Sequence, residues 1–279
     1  RNLILDVATF KFLTLGNSIM EFVNQVLSTA GPPLIAIFFT SIDDTFIFFS
    51  MPGVHALSVL FAFLFFIRFK EEKNIEEDEE KNKKTLMDGV YYSYKFINIR
   101  ILLILTSTIL FWGLTQPLIP RISKDVLSAG SEGYAILLSA GALGAMIGSI
   151  TLPLAQSFFR NSRSIVLCIT CYSITLIGLA LSKSIVLSGI FLGLGGFFHL
   201  IWFTVIIILL QTLPDEKHRG RVVGLFFTFV QLYGLGFIIG GALGDTIGIN
   251  ATIYIASSSL IAIHLICFLS SSSFRLLKS

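Results

Sequence analysis

The sequence predicts an all-α, polytopic membrane protein with about eight transmembrane helices. Of its 279 residues, 54% are hydrophobic and 13% are charged, about half the charge density of a soluble domain. The hydrophobic residues gather in runs long enough to cross a bilayer, and the basic residues fall almost entirely on alternate sides of these runs. A soluble domain of this length cannot bury so much apolar surface, so a soluble protein is excluded.

Each apolar run has the length and the continuous hydrophobicity of a membrane-crossing helix. Such a helix needs about 20 mostly apolar residues. A barrel strand would be about ten residues long with alternating polarity, and the runs here are longer and continuous. Because hydrocarbon offers no water to satisfy backbone groups, these runs must be helical. The eight predicted spans are 15–39, 46–67, 99–119, 134–157, 164–182, 186–211, 222–244 and 250–272.

The distribution of basic residues predicts the orientation of the chain. When alternate loops are assigned to opposite sides, 17 of the 20 Lys and Arg residues fall on one side and 3 on the other. Cytoplasmic loops are the ones enriched in these residues. We therefore expect a multi-pass protein of the cell membrane with both termini in the cytoplasm and the lipid bilayer as its first partner.

One long polar segment divides the predicted spans into two groups. Residues 68–98 carry charges of both signs, a composition typical of a solvated segment that is flexible or loosely helical. The predicted organisation is a lead-in and two helices over 1–67, a central cytoplasmic loop over 68–98, and six helices over 99–279.

Small residues recur in two of the spans. Gly141, Gly144 and Gly148 share a face of the fourth span, and 234–245 in the seventh span is equally rich in glycine. Small residues at this spacing allow membrane helices to approach closely. We expect tightly packed helix pairs at both places.

The loop before the seventh span carries the most specific motif. Pro214 and Asp215 suit the start of a helix. The R-G-R-V run over 219–222 puts two arginines at the predicted cytoplasmic boundary, where they can reach carboxylates, phosphates or helix ends. Together with weaker matches elsewhere, this loop resembles the major facilitator superfamily, in its branch of drug, macrolide and siderophore exporters related to enterobactin export. The weaker matches lie at 31–32, 117–127, 132–148 and 241–245.

That resemblance implies a secondary active transporter for proton-linked efflux of small amphipathic compounds. The eight spans would then correspond to helices five to twelve of a twelve-helix protein, with the first four absent. Its partners would be a small-molecule substrate and a proton or other coupling ion, with no cofactor and no nucleic acid. Two departures weaken ordinary proton antiport, because Pro33 follows the Gly-Pro pair and Ser28 stands where the branch often has Arg. The resemblance implies a cytoplasmic gating motif of Asp215, Arg219, Gly220 and Arg221.

Polar groups inside the spans are candidates for a substrate or proton pathway. Glu21 is the one carboxylate well inside an apolar span, and an ionisable group there is costly enough to suggest a function. Asn17, Asn24 and Gln25 share its helical face. The alternative is an interfacial carboxylate that reaches the headgroups or pairs with Lys11. The candidate pathway residues are Glu21, Asn24, Gln25, Trp112, Gln116, Gln231 and Tyr233.

Other ionisable residues have a structural as well as a functional interpretation. His55, His199 and His264 are possible proton carriers, but a lone histidine in a helix is more often a hydrogen-bonded packing residue. Asp245 is predicted at the outer membrane boundary, with a structural role. The Cys168–Cys171 pair forms a C-x-x-C with no further metal ligand nearby.

The sequence carries no recognisable enzyme motif and no metal site. Nucleophile-elbow, zinc-protease and Walker signatures are absent, so no catalytic residue is assigned and ATP is not expected as the energy source. The alternative to a transporter is a truncated or non-transporting membrane protein that acts as a structural or assembly subunit. Polar residues that converge from several helices would favour transport, and a dry interior would favour the alternative.

Overall fold

A computed structural model describes residues 12–26, 56–57, 59–61, 63–64, 86–159 and 161–277. The chain divides into two compact units, Arg1–Thr29 with Leu86–Ser279, and Ala30–Thr85. In the second unit the described residues, all within 56–64, are helical and exposed. The fold and sites below belong to the first unit.

Within the described residues, six helical spans are long and apolar enough to cross a membrane. They confirm the predicted all-α class and correspond to the last six predicted spans. Most of the first two predicted spans, 15–39 and 46–67, lies outside the described residues, as does His55. The six spans are Ile97–Val126, Gly130–Leu154, Ser162–Leu181, Ile185–Thr212, Glu216–Thr246 and Ile249–Ser270.

Two of the six spans are interrupted: Ile97–Val126, and Glu216–Thr246, which breaks at Gln231. The Ile97–Val126 span breaks at Thr108 and again at Pro117, which has no N–H to continue the helical ladder, and it ends in a π-helix, Ile122–Val126. The helices, in chain order, are α1 (12–26), α2 (Leu86–Lys95), α3 (Ile97–Ser107), α4 (Ile109–Thr115), α5 (Leu118–Arg121), α6 (Gly130–Leu154), α7 (Gln156–Phe159), α8 (Ser162–Leu181), α9 (Ile185–Thr212), α10 (Glu216–Val230), α11 (Leu232–Thr246), α12 (Ile249–Ser270) and α13 (Ser272–Arg275).

Helix α2 lies inside the segment predicted as a central loop. Asp88 stands in its first turn and Lys95 in its last, so both charges oppose the partial charges of the helix ends. The described part of the 68–98 segment is therefore helical from Leu86 to Lys95.

Glycine contacts hold two helix pairs close together, as the sequence predicts. Between α6 and α9, a Cβ on Gly144 would overlap the backbone of Gly193, and one on Gly196 would overlap the carbonyl of Gly141. Between α4 and α11, a Cβ on Gly240 would lie 2.6 Å from the Cα of Leu114. At these points backbone meets backbone, with no room for any side chain.

An ion pair joins the C-terminal ends of α5 and α11. Nη1 of Arg121 lies 2.7 Å from Oδ1 of Asp245, and the Asp245 side chain is 75% exposed. The pair agrees with the structural role predicted for Asp245. An exposed pair of this kind adds at most about 1 kcal/mol, so the glycine packing dominates this contact.

A buried histidine links α9 to α12. The indole N–H of Trp202 donates to Nε2 of His264 at 2.9 Å, and Nδ1 of His264 lies 2.8 Å from the carbonyl oxygen of Leu260. Because Nε2 accepts, the network assigns the proton to Nδ1, which donates to Leu260. Both side chains are buried. His264 is thus a hydrogen-bonded packing residue, the second of the two interpretations that the sequence left open.

Replacing His264 by phenylalanine is expected to destabilise the protein by about 1–2 kcal/mol, because the Trp202 N–H loses its acceptor in an apolar interior. Thermal unfolding in detergent measures the loss. The Trp202→Phe/His264→Phe double variant is the control, since it removes donor and acceptor together and should recover part of the stability. Additive losses from the two single variants would show that the hydrogen bond contributes nothing.

Candidate functional site

An internal cavity of about 480 Å³ lies among the helices of the first unit. It is lined from α1, α4, α5, α6, α8, α9, α10 and α12, so side chains distant in sequence meet there. Most of its wall is apolar, with polar groups at a few positions. This composition is typical of a small-molecule site, which fixes a ligand by apolar contact and orients it with a few polar groups.

Aromatic rings form one wall of the cavity. The ring of Trp112 on α4 stacks on that of His199 on α9, with centroids 4.6 Å apart and an interplanar angle of 18°. Tyr172 and Phe203 flank His199 at 5.5 and 6.1 Å. We call these four residues the aromatic wall. Stacked and tilted ring pairs at these separations stabilise the packing of α4, α8 and α9 beside the cavity.

Helix α1 contributes two polar groups to the cavity, one of them a carboxylate. Glu21 and Gln25, one helical turn apart on α1, both line it. One turn earlier, Nδ2 of Asn17 donates to Oε1 of Gln211 on α9 at 3.1 Å. That bond fixes α1 against α9 and so fixes the carboxylate at the cavity.

The remaining polar groups come from the other helices. Gln116 lines the cavity just beyond the end of α4, and Thr115 and Thr175 contribute hydroxyl groups. Nε2 of His199 is buried and has no hydrogen-bond partner within the described part of the chain. A buried polar atom of this kind requires an explanation, and here it belongs to a ring that lines the cavity.

The structure brings together four of the seven predicted pathway residues. Glu21, Gln25, Trp112 and Gln116 all line the cavity. Tyr233 does not, but its ring lies 4.8 Å from that of Trp112. The other two, Asn24 and Gln231, are exposed side chains outside the lining.

Sequence reasoning missed two members of the aromatic wall altogether. It treated His199 as one of three isolated histidines and did not single out Tyr172 or Phe203. The available signal was the i, i+4 spacing of His199 and Phe203, which puts both rings on one face of α9. Nothing in the sequence linked that face to Trp112.

A second cluster lies where α2 meets the loop before α10. The hydroxyl of Tyr92 accepts from the backbone N–H of Asp215 at 3.2 Å, and the Tyr92 ring stacks on His218 with centroids 4.1 Å apart. Nη1 of Arg221 lies 3.8 Å from Oδ2 of Asp88, which is an ion pair too long for a hydrogen bond. We call this contact the α2–α10 cluster.

Two features show that the α2–α10 cluster is closely packed. A Cβ on Gly89 would lie 3.0 Å from Cβ of Arg221, so the α2 backbone passes directly over this arginine. Nε of Arg219 is buried without a hydrogen-bond partner within the described residues. Of the predicted gating motif, Arg221 and Asp215 therefore contact α2 directly, while Gly220 is exposed.

Six bilayer-length helices in the described part of the chain, packed around a partly enclosed cavity, define a multi-pass helical membrane protein. The family model of the Major Facilitator Superfamily matches residues 1–236, and the chain belongs to that superfamily. Membership implies secondary transport of a small molecule across the lipid bilayer, and these transporters are not enzymes. No curated protein matches the chain.

Proposed function

We propose that the chain carries out proton-linked efflux of small amphipathic compounds and belongs to the drug, macrolide and siderophore exporter branch of the superfamily. The observation that carries the proposal is the cavity, where Glu21, Gln116 and the aromatic wall converge from separate helices. Polar and aromatic groups that converge from several helices support transport. The alternative, a structural or assembly subunit, would need only an apolar interior.

The proposed coupling centres on the Glu21 carboxylate. A proton or a substrate that binds it with different affinity in the inward-open and outward-open states shifts the equilibrium between those states. A transporter with a site between its helices can then alternate access to it without ATP. Because Ser28 stands where the branch often has an arginine, Glu21 is the only ionisable residue in the predicted span 15–39.

We further propose that residues 1–67 end the first helical half, that 68–98 connects the halves, and that 99–279 forms the second half. The support is the grouping of six spans after Leu86. The 17-to-3 split of basic residues supports a cell-membrane protein with both termini in the cytoplasm.

Transport by the purified full chain in proteoliposomes tests the proposed function. A pH gradient, acid inside, is imposed, and the accumulation of a panel of fluorescent amphipathic compounds is followed. We expect uptake of at least one compound that depends on the gradient and stops when a protonophore is added. If a folded, correctly inserted protein moves none of them, the non-transporting alternative replaces the proposal.

The α2–α10 cluster is the proposed cytoplasmic latch. Arg219 and Arg221 would make charge contacts in one conformational state only, and Asp88 is the carboxylate that faces Arg221 in this structure. The stack of Tyr92 on His218 adds an apolar contact that must also separate when α2 and α10 move apart.

Neutralising the latch with Arg219→Gln and Arg221→Gln together is expected to lower transport roughly tenfold, since couplings of this kind are typically worth 1–3 kcal/mol. The same proteoliposome assay measures it. Arg163→Gln is the matched control, because this arginine is exposed and lies on the same predicted side. The Asp88→Arg/Arg221→Asp exchange keeps an ion pair between α2 and α10 and should therefore transport better than the double-neutral variant. Unchanged transport in the double-neutral variant would remove the latch from the mechanism.

A further inference from the structure

We propose that α2 lies in the headgroup region of the cytoplasmic leaflet, where its outer face binds lipid and the basic residues at its C-terminal end bind anionic lipid phosphates. The outer face is a row of exposed side chains, Met87, Val90, Tyr91 and Tyr94, which we call the α2 stripe. The inference goes beyond the proposed function, because a contact with lipid holds whether or not the chain transports a compound.

The α2 stripe is one complete face of its helix. Its four positions have the i, i+3, i+4, i+7 spacing that places side chains on one side of an α-helix. Their exposed fractions run from 45% at Val90 to 73% at Tyr91. On the opposite side, Gly89 and Tyr92 are buried against α10. Helix α2 is therefore packed on one face and presents large apolar and aromatic side chains on the other, which is typical of a membrane or protein contact.

The position of α2 next to a membrane span favours the membrane. Helix α2 ends at Lys95, and the span Ile97–Val126 begins two residues later. Between them the backbone of Phe96 is extended, with φ −97° and ψ 106°, so the chain turns there and α2 does not continue the axis of α3. A short helix that leaves a span at a turn and has one apolar face is typical of a helix lying in the plane of the interface.

The charges at the C-terminal end of α2 complement an anionic leaflet. Lys95 is exposed in the last turn of α2, and the Arg100 guanidinium carbon lies 5.0 Å from the centre of the Tyr94 ring. Both residues fall on the side that the basic residues predict to be cytoplasmic. Each Lys or Arg near that leaflet strengthens binding to anionic lipid about fivefold. Tyrosine also suits this depth, because its ring is apolar and its hydroxyl is wet.

A lipid contact on α2 has a consequence for the proposed latch. The face opposite the α2 stripe carries Tyr92, which stacks on His218, and Asp88 pairs with Arg221. If the membrane holds α2, these contacts separate when α10 moves and α2 stays in place. This consequence rests on the proposed function, whereas the lipid contact itself does not.

Quenching by spin-labelled lipid tests the contact in the full chain, reconstituted in phosphatidylcholine vesicles. An environment-sensitive fluorophore is attached at Tyr91→Cys after the three native cysteines are replaced by alanine. The quencher is phosphatidylcholine with a nitroxide close to the headgroup. Lys217→Cys is the matched control, because Lys217 is exposed in the first turn of α10, outside the α2 stripe. We expect quenching at position 91 to be at least about threefold stronger than at position 217, since an interfacial helix buries its apolar face among the headgroups.

Anionic quencher tests the part played by the basic residues. Spin-labelled phosphatidylglycerol, at the same content, should quench the label at position 91 at least about threefold more strongly than spin-labelled phosphatidylcholine. Lys95→Gln/Arg100→Gln should abolish this preference and leave quenching by phosphatidylcholine nearly unchanged. Arg163→Gln is the charge control, because Arg163 is exposed on the same predicted side. Thermal unfolding of each variant shows that the changes arise in folded protein.

Equal quenching at positions 91 and 217, or emission from position 91 typical of a label in water, would overturn the inference and point to a protein partner for the α2 stripe. Equal quenching by the two lipids would overturn the assignment of phosphates to Lys95 and Arg100. Neither result bears on gradient-driven uptake, so the proposed function can fail or succeed separately.

Discussion

Replacing Glu21 by glutamine is expected to lower gradient-driven transport at least about tenfold, with the protein still folded. Glutamine keeps the size and the hydrogen-bonding capacity of the side chain but cannot take up or release a proton. Because Glu21 is the only formally charged group among the described lining residues, no other carboxylate there can take its place.

The initial rate of uptake in proteoliposomes with an imposed pH gradient measures this effect. Glu132→Gln serves as the matched control, because it removes a carboxylate from the exposed first turn of α6, and it should transport normally. Glu21→Asp should retain part of the activity, since the carboxylate is kept but withdrawn by one methylene. If Glu21→Gln transports at the normal rate, then Glu21 is an interfacial carboxylate with no part in coupling.

Adding a single methyl group at Gly240 is expected to destabilise the fold by about 3 kcal/mol. Overpacked sites usually lose 1–3 kcal/mol, and the upper end applies because the methyl of Gly240→Ala would meet the Leu114 backbone rather than a movable side chain. The α4 and α11 helices would have to separate, and Gly236, which packs on the carbonyl of Leu110, would lose its contact as well.

The neighbouring glycine provides the control for Gly240. A Cβ on Gly241 meets nothing within 4 Å, and alanine is a better helix former than glycine by about 1 kcal/mol. Gly241→Ala should therefore be neutral or slightly stabilising. Thermal unfolding of both variants in the same detergent measures the difference. Equal stability of the two variants would mean that α4 and α11 do not pack backbone to backbone.

The sequence predicted the six described spans because hydrocarbon length and backbone satisfaction leave little choice. The predicted span 186–211 is the helix Ile185–Thr212 almost to the residue. The ends differ where polar residues continue the helix beyond the apolar run. Examples are Glu216, which starts α10 before the predicted 222, and Val126, which ends the π-helix after the predicted 119. Hydropathy detects the apolar segment and not the helix that contains it.

The site could be predicted only in part, for a different physical reason. Glu21 stands out because a charge in an apolar run is costly. An aromatic ring in such a run carries no energetic penalty, so Tyr172 and Phe203 cannot be distinguished from the packing residues of a chain with 27 phenylalanines. Only the packing of α4 against α9 reveals that Trp112 and His199 stack. The role of Asp88 could not be predicted either, because its partner Arg221 lies on another helix.

The hydrogen bonds of His264 also restrict the path that a coupling proton can take. Its Nε2 accepts from Trp202 and its Nδ1 donates to Leu260, so the imidazole has no free lone pair for a second proton. Protonation of Nε2 would require the buried Trp202 indole to give up this hydrogen bond. His264 is therefore not expected to carry a proton, although it is a histidine inside a membrane span. Among the described residues that line the cavity, the proton acceptors that remain are the carboxylate of Glu21 and the imidazole of His199, whose buried Nε2 has no hydrogen-bond partner there.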